Sequence, residues 1–541
     1  MKHMKTIFTL FALFIISASY AQWTDETNVN TLVAESEATD MQSIGTSAGS
    51  TYVISWKTVP APTNFELRLQ ILDPDGNSTL GADGVLISDQ IPMSTFTVQW
   101  NLALDEADNL YLSLTGTGAG NPAYVFKIDP DGNQLWGENG VNVGSGYSVT
   151  VLPLSAGGAI VSWLASSGAV MQKYDETGTA LWADTQPIAL SSGPTAPGNF
   201  FELANGEYIA VFHALIGGIN SNLYAQRYDV DGNSVWTEAT QISNKQTAFN
   251  RAYRGVQDGD VVYMGYFGVA DNRFDSYLQR INADGTLPWG INGSDFDTSN
   301  TNFEMNTDIA FSEGADHIWS ICTYSNTSQS EVGEFVQKFD KDSGARLLTD
   351  TAKIVFPIGE QKTHEGQLQL KNGTPLFLIE ESALGEVPTS LHAVELDANG
   401  DFVNSEEPTT PIATFEASKS RVQFTKFVDG QSVAVFVEDK GDGVKMYAQN
   451  FGEVTLSVES FDKVKASILF NNPVTDVIHV KSESQITEIS LYNMLGQKIM
   501  NVYFQELGEV RVPLSSLSSG QYIMNVTTAA GVVQGLRVLK Q

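Results

Sequence analysis

Through most of its length the chain alternates apolar and polar residues one by one, in short runs that stop at glycine, asparagine or aspartate. A period of two puts neighbouring side chains on opposite faces of a strand, and the stop residues are those that tight turns require. FTVQWNLAL, NLYLSLTG and AYVFKID form one such series, and NFFELAN, EYIAVFHAL and NLYAQRYD another. No long segment carries apolar residues at helical spacing. The pattern predicts an all-β chain.

The series repeats. A strand, an Asp-x-x-Gly turn and a strand that often opens with Trp recur in LQILDPDGNSTL, VFKIDPDGNQLW, MQKYDETGTALW, AQRYDVDGNSVW, LQRINADGTLPW, VQKFDKDSGARL and AVELDANGDFV. YAQNFG is an eighth copy without the turn. The aligned positions are Asp73, Asp129, Asp175, Asp229, Asn282, Asp340, Asp397 and Asn450, 46 to 58 residues apart. Such a unit has room for four strands and their turns. Repeated four-stranded antiparallel sheets predict a β-propeller of about eight blades, or seven if one unit is irregular. The final unit lacks a fourth strand. The segment QWTDETNVNTLVAES, beginning at Gln22, resembles the fourth strand of other units, as in SVWTEATQIS. It is expected to complete the last blade and close the ring, which removes exposed sheet edges. The propeller is therefore placed at residues 22–455.

The Arg-x-Asx-x-x-Gly turn of QRINADGTLPWG and QRYDVDGNSVW, with Gly-x-x-Gly in GENG and GING, resembles the delta-60 propeller repeats of bacterial secreted proteins. That family's second Asp-x-x-Phe-Gly element is absent. The resemblance implies architecture, not activity.

The start of the chain follows another rule. Lys2 and Lys5 precede an apolar run from Ile7 to Ile16, and Ser19-Tyr20-Ala21 supplies small residues for cleavage. Residues 1–21 read as a secretory signal peptide cut after Ala21. No cysteine follows to accept a lipid. No later run is long and apolar enough for a transmembrane segment.

Composition changes this picture in three places. At 42% hydrophobic and 17% charged residues, the chain has material for a large core and is not disordered. A formal charge of −33 argues against nucleic acid and anionic membranes as partners. The single cysteine, Cys322, permits no disulfide within the chain. Its setting in HIWSICTY reads as a small buried hydrophobe. Charge also marks a boundary. Residues 22–459 carry 57 acidic and 21 basic side chains, whereas residues 460–541 carry 6 and 7.

Beyond that boundary, ILFNNPVTDVIHV, ITEISLYNMLGQKIM, VRVPLSSLSSGQYIMNVTT and VVQGLRVLKQ alternate as strands of a small Ig-like β-sandwich, placed at residues 456–541. Asn472-Pro473 opens a turn that Asp476 can cap, Leu495-Gly496-Gln497 reads as a hairpin tip, and Ser519-Gly520 leads into a central strand. The ordered motifs resemble the type IX secretion system C-terminal sorting domain, also called the Por secretion domain. They are Asn472, Pro473 and Asp476; Leu491, Tyr492, Asn493, Gly496 and Gln497; Leu517, Ser519, Gly520 and Tyr522; and Lys540. Phe470-Asn471 stands where that family often has Tyr-Pro. The resemblance implies the type IX secretion machinery as a partner. It also implies a location outside the cell or on the outer-membrane surface, commonly with removal of the tag.

Candidate chemistry in the repeated body is sparse. Asp73-Pro-Asp75-Gly76, Asp129-Pro-Asp131-Gly132 and Asp229-Val-Asp231-Gly232 resemble the start of a Ca²⁺ loop, but no distant Glu recurs at fixed spacing. Turn capping by Asp, with Gly at positive φ, is the simpler reading, and no cofactor is expected. Trp136, Trp182, Trp236 and Trp289 share one repeat position, matched by Trp23, which points to packing between sheets. Trp100, Trp163, Tyr263 and Phe267 read as core by alternation. His213, His317, His364 and His392 lie in different units without metal-binding spacing. No nucleophile elbow or phosphate loop appears, and arginines are few and scattered. Carboxylate pairs for polysaccharide cleavage remain open, because sequence gives no distances. The leading expectation is a non-catalytic, exported propeller that binds a glycan, protein or matrix component. A polysaccharide hydrolase or lyase and a structural surface or adhesion component are the alternatives.

Overall fold

The computed structural model describes residues 23–59, 65–93, 100–249, 253–381, 389–452, 468–493, 498–529 and 533–541. The expected signal peptide and the motif residues Gly496 and Gln497 lie outside them. The chain divides into two compact units, residues 1–453 and 454–541.

Every regular element described in the larger unit is a strand. These strands form eight antiparallel sheets, each with a path of four strands in order from inside to outside. One also carries a short fifth strand, Thr247–Ala248. The sheets follow one another as the blades of a propeller, so the all-β, propeller-like class read from the alternation holds. The innermost strands are Asp40–Gly45, Asn101–Leu104, Tyr147–Pro153, Thr195–Glu202, Arg254–Asp258, Phe303–Ala310, His364–Lys371 and Ser420–Phe424. Neighbouring innermost strands lie against one another and the first meets the last, except that Thr195–Glu202 reaches Arg254–Asp258 through the Phe201 ring at Gly255.

The core sits between sheets. Ile54 and Leu69 pack on Leu112 and Phe126 of the following sheet. Val211 and Ala225 pack on Val262 and Met264. Val53 and Leu72 of the first sheet pack on Val435 and Ala448 of the last. In that last sheet the outermost strand is Thr31–Leu32, with Thr31 opposite Ala448 and Leu32 opposite Tyr447. The buried Asn30 amide secures this strand, donating to the Ile412 carbonyl and to Gln449 Oε1 at 2.9 and 3.0 Å.

The repeated tryptophans tie the blades that carry them to the next. Trp23, Trp136, Trp236 and Trp289 donate their indole N–H to the carbonyls of Pro74, Glu176, Ala283 and Asp342, each in the Asp turn of the next sheet. The turn glycine admits the ring. A Cβ on Gly178, at φ +81°, would stand 2.8 Å from Trp136 Cγ, and one on Gly76, at φ +86°, equally close to Trp23. Trp136 does not open a strand, as the alternation suggested. It precedes the short outer strand Val141–Ser145, in a turn that lets the ring leave its own sheet.

The smaller unit contains strands Ile468–Phe470, Val477–Tyr492, Lys498–Pro513, Gly520–Thr528 and Val533–Lys540 in one antiparallel hydrogen-bonded set. The two long strands form a hairpin whose register shifts between Lys481 and Ile486. Ile478, Val480, Ile489, Leu491, Val512 and Val526 fill its core.

Candidate functional site

Antiparallel strands bring the first-to-second and third-to-fourth connections to one end of the larger unit. The second-to-third connections and the starts of the inner strands come to the other. The Asp turns occupy the first end and are spent on local structure. Asp73 Oδ1 accepts the backbone N–H groups of Asp75 and Asn77 at 3.0 and 2.8 Å, and Asp129 and Asp229 repeat the arrangement. Among the described residues no group of three His, Cys, Asp or Glu is placed to hold a metal ion.

The other end opens into a central channel. The five inner strands Tyr147–Pro153, Thr195–Glu202, Phe303–Ala310, His364–Lys371 and Ser420–Phe424 each shift register near their start. A bulge twists a strand and re-aims side chains, and it recurs here around one opening. Four bulge residues have left-handed backbones: Ser148 (φ 52°), Asn306 (φ 52°), Gly366 (φ 70°) and Arg421 (φ 56°).

Two cavities of about 790 and 970 Å³ lie along the channel and share Gln42, Trp100, Asn101 and Gln423. Trp100, Phe249 and Tyr253 give the first cavity aromatic surface, and Asn101, Asn199 and Thr150 give it hydrogen-bonding groups. Some of these also join blades. Asn101 Oδ1 accepts the Val151 N–H at 3.0 Å, and Asn199 Nδ2 donates to the Tyr253 carbonyl at 3.2 Å. Thr150 Oγ1 is buried and has no hydrogen-bond partner among the described residues.

Charge enters the channel in two pairs. Arg421 Nε stands 2.9 Å from Asp40 Oδ1, joining the last inner strand to the first. Burial raises the Asp40 carboxyl above its usual range, against the opposing charge of Arg421. Arg254 Nε lies 3.6 Å from Asp308, whose carboxylate also accepts the Ile309 and Leu368 N–H groups.

Behind the opening the blades bury further charge. Lys419 Nζ lies 2.6 Å from Glu438, both side chains essentially inaccessible, and donates to the carbonyls of Thr389, Phe415 and Ala417. His364 Nδ1 lies 2.8 Å from Glu334. Burial opposes the charge on that imidazole, but the Glu334 carboxylate outweighs it and raises the pKa to about 9. Burial, then the charge of Asp297, pushes the Glu304 carboxyl well up. Burial and the neighbouring Glu365 lift Glu380 to about 7, against Lys419.

The remaining candidates fall into place individually. His213 is buried against Ser221 Oγ at 3.0 Å, and burial lowers its pKa to about 4. His317 pairs with Asp316 and His392 faces Glu381, so the four histidines do not converge. Cys322 is fully buried, in contact with Ser276 Oγ and the Met305 carbonyl, and burial raises its thiol pKa. Trp163 and Tyr263 are core residues, whereas Trp100 is half-buried and lines both cavities. Alternation placed Trp100 in the core because it cannot tell a face turned to another sheet from one turned to the channel. Arg421 and Asp40 drew no attention in the sequence, since only ring closure brings them together.

In the smaller unit, Asn472 Oδ1 accepts the Leu539 N–H at 2.8 Å and its amide donates to the Arg537 carbonyl at 2.9 Å. Asn471 spans the same turn, donating to the Val477 carbonyl and accepting from the His479 N–H. Asp476 takes part through its main-chain carbonyl, which accepts the Leu514 N–H at 2.7 Å; the side-chain capping expected of it falls to the asparagines. Tyr522 donates its hydroxyl to the Ser518 carbonyl at 2.8 Å. The ring of Tyr492 lies beneath the Lys498 ammonium. Gly520 pairs with the mostly buried Lys540.

Residues 469–539 match the family model described as the secretion system C-terminal sorting domain. The motif resemblance is thereby borne out: this part of the chain matches a type IX C-terminal sorting domain. No curated protein sequence matches the chain. Among solved structures it is similar to a PL25 ulvan lyase, a polysaccharide lyase, at 11% identity over 78% of this chain and 95% of that one, with a TM-score of 0.38. The Dos1 propeller matches at 11% identity over 77% and 95%, with a TM-score of 0.42. Drosophila Semaphorin 2a matches at 9% identity over 82% and 96%, with a TM-score of 0.36. None of these likenesses bears on activity.

Proposed function

We propose that the chain is an exported, eight-bladed propeller that binds an extracellular glycan in its channel. Residues 1–21 would be removed as a signal peptide, the body would span residues 22–455, and residues 456–541 would be a sandwich-like tag that reaches the secretion machinery. The observation that carries the glycan reading is the first cavity, about 790 Å³, in which Trp100, Phe249 and Tyr253 share a wall with Asn101, Asn199 and Thr150. That volume is within the usual range for ligand sites. Aromatic faces beside amides and hydroxyls suit a sugar, which has apolar C–H faces and many hydroxyls. A glycan array followed by calorimetry tests it. Trp100→Ala is expected to weaken binding about tenfold, near 1.4 kcal/mol. Unchanged affinity would remove the channel as the site.

A catalytic alternative has one observation in its favour. Glu380, lifted to about 7 beside Glu365, has the protonation that a general acid needs near neutrality. Reducing-end release from a bound polysaccharide, lost in Glu380→Gln, would make this protein an enzyme.

A further inference from the structure

We infer that the channel selects an anionic glycan and that Arg421 reads its carboxylate or sulfate. The inference rests on the glycan reading and adds the charge of the ligand.

The first argument is charge distribution. Residues 22–459 contain 57 acidic and 21 basic side chains. In the channel that excess of acid disappears. Arg421, Arg254 and Lys426 stand there with Asp40, Glu313 and Asp308, the last paired with Arg254. In a chain of net charge −33, solubility needs no cations in the channel. Each one placed there is surrounded by less of the surface water that would otherwise solvate it.

The second argument is the backbone of Arg421. Its φ of 56° is a left-handed conformation that disfavours any residue with a Cβ. Gly366, Asn306 and Ser148, a glycine and two short polar residues, hold left-handed positions in other inner-strand bulges. Arg421 is the long side chain of the set. Its strained backbone directs the guanidinium to the mouth of the first cavity, where the side chain is 47% exposed.

The third argument is what the guanidinium has left to give. Asp40 Oδ1 lies 2.9 Å from its Nε as an ion pair, while the same oxygen accepts the Met41 N–H at 2.9 Å. The two terminal nitrogens have no hydrogen-bond partner among the described residues. A guanidinium paired on its Nε side leaves those nitrogens as a fork, the geometry that takes a carboxylate or sulfate through two parallel hydrogen bonds. Asp40 is thus a positioning residue.

The competing account makes Arg421–Asp40 only a seal between the last blade and the first. The two accounts differ in binding. Calorimetry of the full chain would use oligogalacturonate, a sulfated galacto-oligosaccharide and a neutral galacto-oligosaccharide of equal length. The two anionic probes separate carboxylate from sulfate. At least one of them is expected to bind ten times more tightly than the neutral probe. Arg421→Gly is expected to abolish that preference, so that anionic and neutral probes bind alike, and Arg421→Lys to restore it in part. Melting of Arg421→Gly should be close to that of the parent, since glycine accepts the left-handed backbone. Neutral binding equal to anionic binding overturns the inference and leaves the glycan reading standing. So does a charge preference that survives Arg421→Gly. Absence of binding by all three probes overturns both.

Discussion

Lys419 offers a stringent test of how the channel mouth is held. It lies two positions before Arg421, with its ammonium sealed against Glu438 and three main-chain carbonyls. Lys419→Met keeps the approximate volume and removes every polar contact. It strands Glu438, whose remaining cation is Lys440 at 3.3 Å. Breaking a buried pair from one side costs about 3–5 kcal/mol. Each orphaned carbonyl adds up to about 1 kcal/mol when water or its second lone pair compensates in part. A total near 5 kcal/mol is expected. At about 2.1 cal/mol/K per residue, a ring of roughly 430 residues unfolds with an entropy near 0.9 kcal/mol/K. The melting temperature should therefore fall by about 5–6 °C. Scanning calorimetry at pH 7 measures this. Lys419→Met with Glu438→Leu removes the stranded carboxylate and should recover about 3 kcal/mol, leaving the carbonyl deficit. A single variant within about 1 kcal/mol of the parent would refute the reasoning.

Three further outcomes are expected. Gly178→Ala forces a Cβ to 2.8 Å from Trp136 at φ +81°, whereas Gly137→Ala, at φ +83°, meets nothing within 4 Å. The first should cost about 3 kcal/mol and the second about 1, and equal losses would mean that Trp136 does not lean on the turn. The raised pKa of His364 keeps a proton that the unfolded chain releases above about 6.5. Its stabilisation is therefore complete below that pH and lost as pH climbs through about 9. The melting temperature should drop between pH 6 and 9.5, less so in His364→Gln, and parallel profiles would count against the pair. Deleting residues 22–35 removes Trp23, Asn30 and the strand that completes the last sheet, so melting should fall by several degrees; an unchanged value would contradict closure by this segment.

Repetition made the scaffold legible and left the site hidden. The turn aspartates and the tryptophans recur at one position per unit, so packing and capping could be read before any coordinates. The direction of the tryptophan contact could not, because the partner is the next unit's glycine. Trp100 alternates like any core residue, and only the channel axis separates it from Trp163. In the sequence Arg421 is one of a few scattered arginines. What distinguishes it is a bulge, a positive φ and a partner from the first blade, and none of the three has a local signature. In the smaller unit the motif order was specific, yet the turn turned out to be held by Asn471 and Asn472, whereas Asp476 contributes its carbonyl.

The position of Arg421 also links the site to the way the ring closes. Asp40 opens the first inner strand and Arg421 lies in the last, so their contact spans the seam of the propeller. The same seam is joined outside by Thr31–Leu32 pairing with the last sheet, and Trp23 reaches the Asp turn of the first. An open ring would leave Arg421 without the carboxylate that orients its fork, and Trp100 and Gln423 would no longer share a wall. On the proposed glycan reading, binding competence would be a property of the closed ring, not of any blade. The Asp-turn end is committed to latching blades together, so the bulged end is where side chains remain for a ligand. That division is why the most repeated features of the sequence are structural, and why the proposed recognition falls to the least repeated ones, Arg421 above all.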